Sequence, residues 1–120
     1  MSTQTPELIP ILHTRNAAAS VQWYAQLGFT QNWIHRFAPD LPAFVEISNG
    51  PMKIFLSEHA GDARPDTLIF FRVPDLDAFV ANVEGGVEVE DSEEIGMRDC
   101  EVRDLDGNRI RVGTRLERRG

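Results

Sequence analysis

Apolar and polar residues in the first half of the chain follow one another in a way that predicts a strand, a helix and three further strands. Residues 8–15 are mostly apolar and predict the first strand, in which Pro10 is typical of an edge strand or a strand start. Asn16 can cap the helix that follows, and Gly28 can end it. The apolar positions of that helix recur at helical spacing: Ala17, Val21, Tyr24 and Leu27. The further strands are predicted at residues 29–37, 43–48 and 52–57.

The second half repeats this order. Residues 67–73 predict a strand, Asp75 a helix cap, and the pair Gly85 and Gly86 a helix stop. The helical stripe between them consists of Leu76, Phe79, Val80 and Val83. Three strands are then predicted at residues 87–89 or slightly beyond, 97–103 and 109–114. Each half therefore predicts a βαβββ unit, and the polar residues 58–65 are the linker between the two units.

One helix can cover only one face of the sheet in each unit. With 120 residues, 42% of them hydrophobic, the chain can build one core. We therefore expect an α+β fold over residues 1–120 as a single domain, in which two βαβββ modules at about 7–58 and 66–115 form a concave mixed sheet. The uncovered face must hold a ligand, a partner, or both, and a second copy of the chain in a homodimer is one way to cover it.

The charge and the cysteine content of the chain limit the classes of binding partner and the cellular location that we expect. The formal net charge of -7 disfavours nucleic acid and anionic membranes and favours cationic partners. No apolar run reaches the roughly 18 residues of a membrane span, and the first residues lack the pattern of a signal peptide. Cys100 is the only cysteine, so a cytoplasmic location is expected. Asp99 and Glu101 beside it should raise its pKa, which favours a buried, inert thiol.

Three stretches carry a resemblance to a known family. Residues 16–29 read NAAASVQWYAQLGF, similar to the family pattern D..S..FY..LGF, and residues 97–108 read MRDCEVRDLDGN, similar to MREF.VRDPDGN. The third stretch is FFRVPDLD at residues 70–77. On these residues the chain resembles the vicinal oxygen chelate superfamily, the group of the glyoxalases, bleomycin resistance proteins and extradiol dioxygenases. The sequence departs from the pattern at Asn16, Leu105 and Ile95, where Asp, Pro and Trp are usual.

The resemblance implies four positions for metal ligands in the catalytic members of the superfamily. Ile9 and Leu68 occupy the two positions in the first strand of each module, and neither side chain can bind a metal. Arg111 stands in place of a glutamate, and residues 52–56 contain no acid. We therefore expect no metal, no other cofactor and no catalytic residue. The alternative is a metal-dependent lyase, isomerase or dioxygenase with a non-standard ligand set, drawn from His13, His35, His59, Glu46 and Glu58.

Without a metal, the chain is closest in pattern to the bleomycin resistance proteins. That resemblance implies a homodimer whose grooves sequester a bleomycin-like or other aromatic, cationic antibiotic unchanged. Aromatic side chains would form the groove walls, and the candidates are Trp33, Phe37, Phe44, Phe55 and Phe70. Glu46, Asp40 and Glu101 could supply negative charge. Two alternatives remain open, because each aromatic residue could belong to the core, and a groove filled by its own aromatic side chains would indicate an accessory protein.

Overall fold

The computed structural model describes residues 3–117. The first module has the elements β1 (Ile11–His13), α1 (Ala17–Ala25), β2 (Thr30–His35), β3 (Phe44–Asn49) and β4 (Met52–Ser57). Its four strands lie in the order β1-β4-β3-β2. The pair β1 and β4 is parallel, whereas β4 with β3 and β3 with β2 are antiparallel, so the sheet is mixed.

The second module repeats this plan. Its elements are β5 (Leu68–Arg72), α2 (Leu76–Phe79), β6 (Glu90–Ser92), β7 (Met97–Arg103) and β8 (Arg109–Arg115). The strand order is β5-β8-β7-β6, with β5 and β8 parallel and the other two pairs antiparallel. The prediction of two βαβββ modules is confirmed.

The two helix caps confirm the predicted helix starts. The side chain of Asn16 accepts a hydrogen bond from the backbone N–H of Ala19, and Asp75 accepts one from Ala78. Gly28 ends the first helical region with a φ of +83°, and a Cβ atom there would lie 2.7 Å from Nδ2 of Asn49. Glycine is therefore required at this position both by the backbone conformation and by the close approach of a side chain.

Three predicted elements differ most in length or position. The helix predicted at residues 76–83 ends at Phe79, because the backbone continues with tighter i→i+3 hydrogen bonds, from Ala81 to Ala78 and from Val83 to Val80. The first strand is shorter than predicted, and Leu8 before it is 97% exposed. The strand predicted at residues 87–89 is found at Glu90–Ser92, because the earlier valines pack against the core instead of pairing with β7.

Each sheet buries the face that carries its helix. In the first module, α1 packs against β2, β3 and β4, above the buried residues Val45, Ile47 and Leu56. In the second, α2 packs against β8, where Ile110 and Val112 are buried. The opposite face of each sheet, called the open face below, carries the alternate residues of every strand.

Cys100 lies on the covered side of β7, where it is buried. Burial, followed by the negative charge of Asp99, raises the pKa of its thiol. The predicted inert thiol therefore has the environment that was expected, although burial contributes more to the pKa than the neighbouring acids do.

A buried polar network joins the two modules. The hydroxyl of Tyr24, in α1, donates to Asp104, in the turn between β7 and β8, over 2.6 Å. Nδ2 of Asn108 donates to Asp104 and also to the backbone carbonyl of His13, each at 2.9 Å. Burial of Tyr24 and the adjacent carboxylate of Asp104 raise the pKa of the phenol, so that it remains a hydrogen-bond donor. The turn of one module is thus fixed to the helix and first strand of the other.

Candidate functional site

The open face of the first sheet brings side chains from all four strands into two rows. Strand pairing aligns Ile11, Phe55, Glu46 and Trp33 in one row. The neighbouring row contains His13, Ser57, Phe44 and His35. A β-bulge in β2 between Gln31 and Trp33 shifts the register there and turns Trp33 onto the open face.

Three of the predicted site residues form one aromatic cluster on this face: Trp33, Phe44 and Phe55. The rings of Trp33 and Phe44 are stacked, with centroids 6.0 Å apart and planes inclined by 17°. Phe55 lies 5.7 Å from Trp33 and 5.0 Å from Phe44, tilted against both. Trp33 remains 41% exposed, so the cluster offers an aromatic surface to solvent and does not close on itself.

Part of this cluster lines a cavity of about 550 Å³, whose walls are Trp33, His35, Phe44, His59 and Asp62. The linker reaches the cavity because the hydroxyl of Ser57 donates to Asp62 over 2.7 Å and accepts from the backbone N–H of His59. Sequence reasoning considered His35 and His59 only as substitute metal ligands and placed neither beside the cluster. Strand parity with Trp33 was sufficient to find His35, whereas His59 depends on the folding of the linker.

The other two predicted site residues lie apart from the aromatic cluster. Phe37 follows the end of β2, is 76% exposed, and contacts the ring of His35 edge-on, with centroids 4.5 Å apart. Phe70 lies on the open face of the second sheet, in register with Arg111. Phe37 does not join Trp33 in the cluster, because the chain leaves the sheet after His35.

The acids proposed to line the groove have different surroundings. Glu46 lies on the open face and accepts a hydrogen bond from Asn32 over 3.0 Å. Asp40 is in the exposed loop between β2 and β3. Glu101 is bound by two arginines, Arg109 at 2.9 Å and Arg111 at 3.2 Å, so its charge is neutralised locally.

The residues at the implied metal positions do not fit a metal. Leu68 and Arg111 lie on the open face of the second sheet and provide no anionic or imidazole donor. Glu58, considered as a substitute ligand, accepts backbone hydrogen bonds from Ala17 and Ala43 and so connects α1 to β3. Within residues 3–117, no group of three or more histidine, cysteine, aspartate or glutamate side chains is arranged to hold a metal ion.

Restoring one carboxylate should therefore not restore a metal site. Arg111→Glu would place an acid beside its register partner Glu101, but Ile9 and Leu68 would still contribute no ligand, and a catalytic metal site usually needs about three protein ligands. We expect no stoichiometric zinc or manganese binding by the variant in a calorimetric titration. Tight binding by Arg111→Glu, with none by the wild type, would show that the metal positions are assigned wrongly.

The sequence matches a family model over residues 3–118, and that model describes a glyoxalase superfamily protein. The chain belongs to the glyoxalase superfamily. The resemblance to the vicinal oxygen chelate group is thereby confirmed. No curated protein matches the sequence significantly. Among the residues described, no helix has the length and apolar character needed to cross a membrane.

Several solved structures share the fold. A bleomycin resistance determinant encoded on the transposon Tn5 is similar with a TM-score of 0.73 and 17% identity, covering 92% of this chain and 98% of that one. A bleomycin-binding protein complexed with bleomycin has a TM-score of 0.70 and 18% identity, with coverages of 92% and 98%. TnmS3, an antibiotic binding protein from Streptomyces sp. CB03234, has a TM-score of 0.72 and 16% identity, with coverages of 96% and 99%. At these identities the likeness shows the fold.

Proposed function

We propose that this member of the glyoxalase superfamily is a small-molecule binding protein that sequesters a flat aromatic compound, such as a bleomycin-type antibiotic, without altering it and without a catalytic metal. The observation that carries the proposal is the aromatic cluster of Trp33, Phe44 and Phe55. Two of its rings are stacked, and Trp33 is 41% exposed beside the 550 Å³ cavity. A planar ring system can pack on such an open surface.

The surroundings of the cluster favour binding over catalysis. The cavity holds the imidazoles of His35 and His59 and the carboxylate of Asp62, which can donate or accept hydrogen bonds to a ligand. The side chains at the implied metal positions of the second sheet are leucine and arginine, which cannot hold a metal ion. The similar bleomycin-binding and antibiotic-binding proteins support ligand sequestration as the role of this fold here.

A homodimer is part of the proposal. Ile11 and Phe70 on the open faces are both 41% exposed, and they lie on the edge strands β1 and β5. A two-fold partner would cover apolar surface on both sheets and close a groove over the aromatic cluster. We place the protein in the cytoplasm, where a single buried cysteine needs no disulfide partner.

A homodimer predicts the molecular mass that the protein should have in solution. Light scattering at micromolar concentration should report twice the 13.5 kDa mass of the chain. Because the groove would be built from both copies, ligand should also shift the equilibrium toward the dimer at low protein concentration. A mass of one chain at every concentration, with and without ligand, would contradict the dimer.

The function is tested by calorimetric titration of the purified protein against a bleomycin-type drug, after metal analysis of the sample. We expect saturable binding, with the drug recovered unchanged and with the same affinity after treatment with a chelator. Binding that disappears on chelation, or a drug that is chemically modified, would favour the metal-dependent lyase, isomerase or dioxygenase. Absence of binding to any flat aromatic compound would refute the proposed function.

A further inference from the structure

The open face of the second sheet has a charge opposite to that of the whole chain. Strand pairing places five arginines on it: Arg72, Arg103, Arg109, Arg111 and Arg115. The same face carries three carboxylates: Glu90, Asp99 and Glu101. Glu93, Glu94 and Glu117 lie near Arg72 and Arg115, so the local excess of positive charge is at Arg109 and Arg111, which share Glu101, on a chain of formal net charge -7. At physiological ionic strength the Debye length is about 8 Å, so a bound molecule responds to the local arginines more than to the net charge.

The carboxylate of Glu101 pairs with two of these arginines, and the two contacts are unequal. Arg109 binds both oxygens of Glu101, with Nε to Oε2 at 3.0 Å and Nη2 to Oε1 at 2.9 Å. Arg111 has a single, longer contact from Nη2 to Oε1 at 3.2 Å. Arg109 first and then Arg111 hold the pKa of Glu101 below its usual range, so the triad carries a net charge of about +1 at neutral pH.

Arg111 keeps unused hydrogen-bonding capacity. A guanidinium has about five N–H donors, and within residues 3–117 Glu101 is the only hydrogen-bond partner of the Arg111 side chain. The side chain of Arg111 is 41% exposed. Its remaining donors are therefore accessible, and their planar arrangement matches the two oxygens of a carboxylate, sulfonate or phosphate group.

An exposed aromatic residue is paired with Arg111 on the neighbouring strand. Phe70 is the register partner of Arg111 on the open face and is 41% exposed. Gly113 makes room for the ring to lie across β8, since a Cβ atom there would be 2.9 Å from Cζ of Phe70. Met97 and Asp99 border the same position, at 3.3 and 3.4 Å from that point. An exposed aromatic ring and a guanidinium with free donors thus project from paired residues on the same face of the second sheet.

We propose that this face is an oxyanion subsite, so that the ligand of the protein is a flat aromatic molecule carrying an oxyanion, with its ring system on the aromatic cluster, Arg111 binding the oxyanion and Phe70 packing on the part of the ligand next to it. The proposal rests on the proposed function and adds the charge of the ligand to it. It departs from the cationic ligand that the net charge of the chain favours, because Glu101, one of the acids expected to attract a cation, is neutralised by arginines.

The test uses three probes with the same ring system and different charge: naphthalene-2-sulfonate, naphthalene-2-methanol and naphthalene-2-methylammonium. Each is titrated calorimetrically into the full chain at neutral pH and physiological salt. The sulfonate should bind roughly tenfold more tightly than the alcohol, because one charge-assisted hydrogen bond contributes about that factor, and the ammonium should bind more weakly than the alcohol. Added salt should lower the affinity for the sulfonate and leave the affinity for the alcohol unchanged.

Three variants test whether Arg111 causes the preference for the sulfonate. Arg111→Gln should lower the affinity for the sulfonate roughly tenfold and leave the affinity for the alcohol unchanged. Glu101→Gln should raise the affinity for the sulfonate, because it removes the carboxylate that competes with the sulfonate for Arg111. Arg98→Gln is the matched control. Arg98 is on the opposite face of β7, is 37% exposed and pairs with Asp77 and Asp91, so this variant should bind all probes as the wild type does.

Equal affinity for the sulfonate and the alcohol, or sulfonate binding unaffected by Arg111→Gln in a variant with an unchanged melting temperature, would overturn the oxyanion subsite. The proposed function would survive that result if the alcohol still binds and Trp33→Ala weakens it. If none of the three probes binds, both the proposed function and the subsite are contradicted. A sulfonate preference that Arg98→Gln abolishes would also overturn the assignment to Arg111.

Discussion

Replacing Asp104 by alanine should lower the free energy of unfolding by about 3 to 5 kcal/mol. Its buried carboxylate accepts hydrogen bonds from Tyr24 at 2.6 Å and from the backbone N–H groups of Asp106 and Asn108 at 2.9 Å each. The side-chain amide of Asn108 is a fourth donor, also at 2.9 Å. Removing the acceptor leaves these donors unpaired in a region closed to water, and each such group costs about 1 to 3 kcal/mol. Urea denaturation of both proteins measures the difference.

A smaller change in the same network provides the control. Tyr24→Phe removes a single donor and leaves the other three partners of Asp104 in place, so the loss should be about 1.5 to 3 kcal/mol. The ring still fills the same volume, because Tyr24 is fully buried against Phe29 and Trp23. If Asp104→Ala costs no more than Tyr24→Phe, the carboxylate does not hold the two modules together.

Trp33→Ala should weaken the binding of a flat aromatic ligand by a factor of about two to thirty. Packing on one desolvated aromatic wall contributes about 0.5 to 2 kcal/mol, and the variant also removes the ring that stacks on Phe44 and contacts Phe55. The free energy of unfolding should change far less than in Asp104→Ala, because Trp33 is 41% exposed. Calorimetric titration with the same ligand, after a check of the melting temperature, gives both values.

Phe37→Ala is the matched control for this loss. Phe37 is also aromatic and exposed, but it contacts His35 and lies outside the aromatic cluster. We expect it to weaken binding by a smaller factor than Trp33→Ala does. An equal or greater loss in Phe37→Ala would move the ligand from the cluster to the loop after β2.

Much of the fold follows from local sequence patterns. The caps at Asn16 and Asp75 each depend on a few adjacent residues, and the structure has them where the sequence predicts them. The predicted second helix was too long because apolar spacing reports which side chains meet the core. Val80 packs in the core although the backbone has already left the helical conformation at that residue.

The candidate site was predicted only in part, for physical reasons. Alternation along β2, β3 and β4 was enough to bring the aromatic cluster to one face, apart from the bulge before Trp33. The pairing of Glu101 with Arg111 follows from the hairpin turn at residues 104–108, so the neutralised acid could have been predicted. The position of His59 depends on hydrogen bonds within the linker, and the Tyr24–Asp104 contact joins residues 80 positions apart in sequence.

The chain contains two tryptophans, and this offers the most direct test of the claim that the aromatic cluster binds the ligand. Trp33 belongs to the cluster, whereas Trp23 lies on α1 and packs edge-on against Tyr24. In a two-dimensional proton–nitrogen NMR spectrum each indole N–H gives one signal, and Trp33→Phe assigns them. During titration with a flat aromatic ligand, the Trp33 signal should move progressively to saturation while the Trp23 signal stays in place. Movement of the Trp23 signal alone, or of neither signal while calorimetry reports binding, would contradict the account.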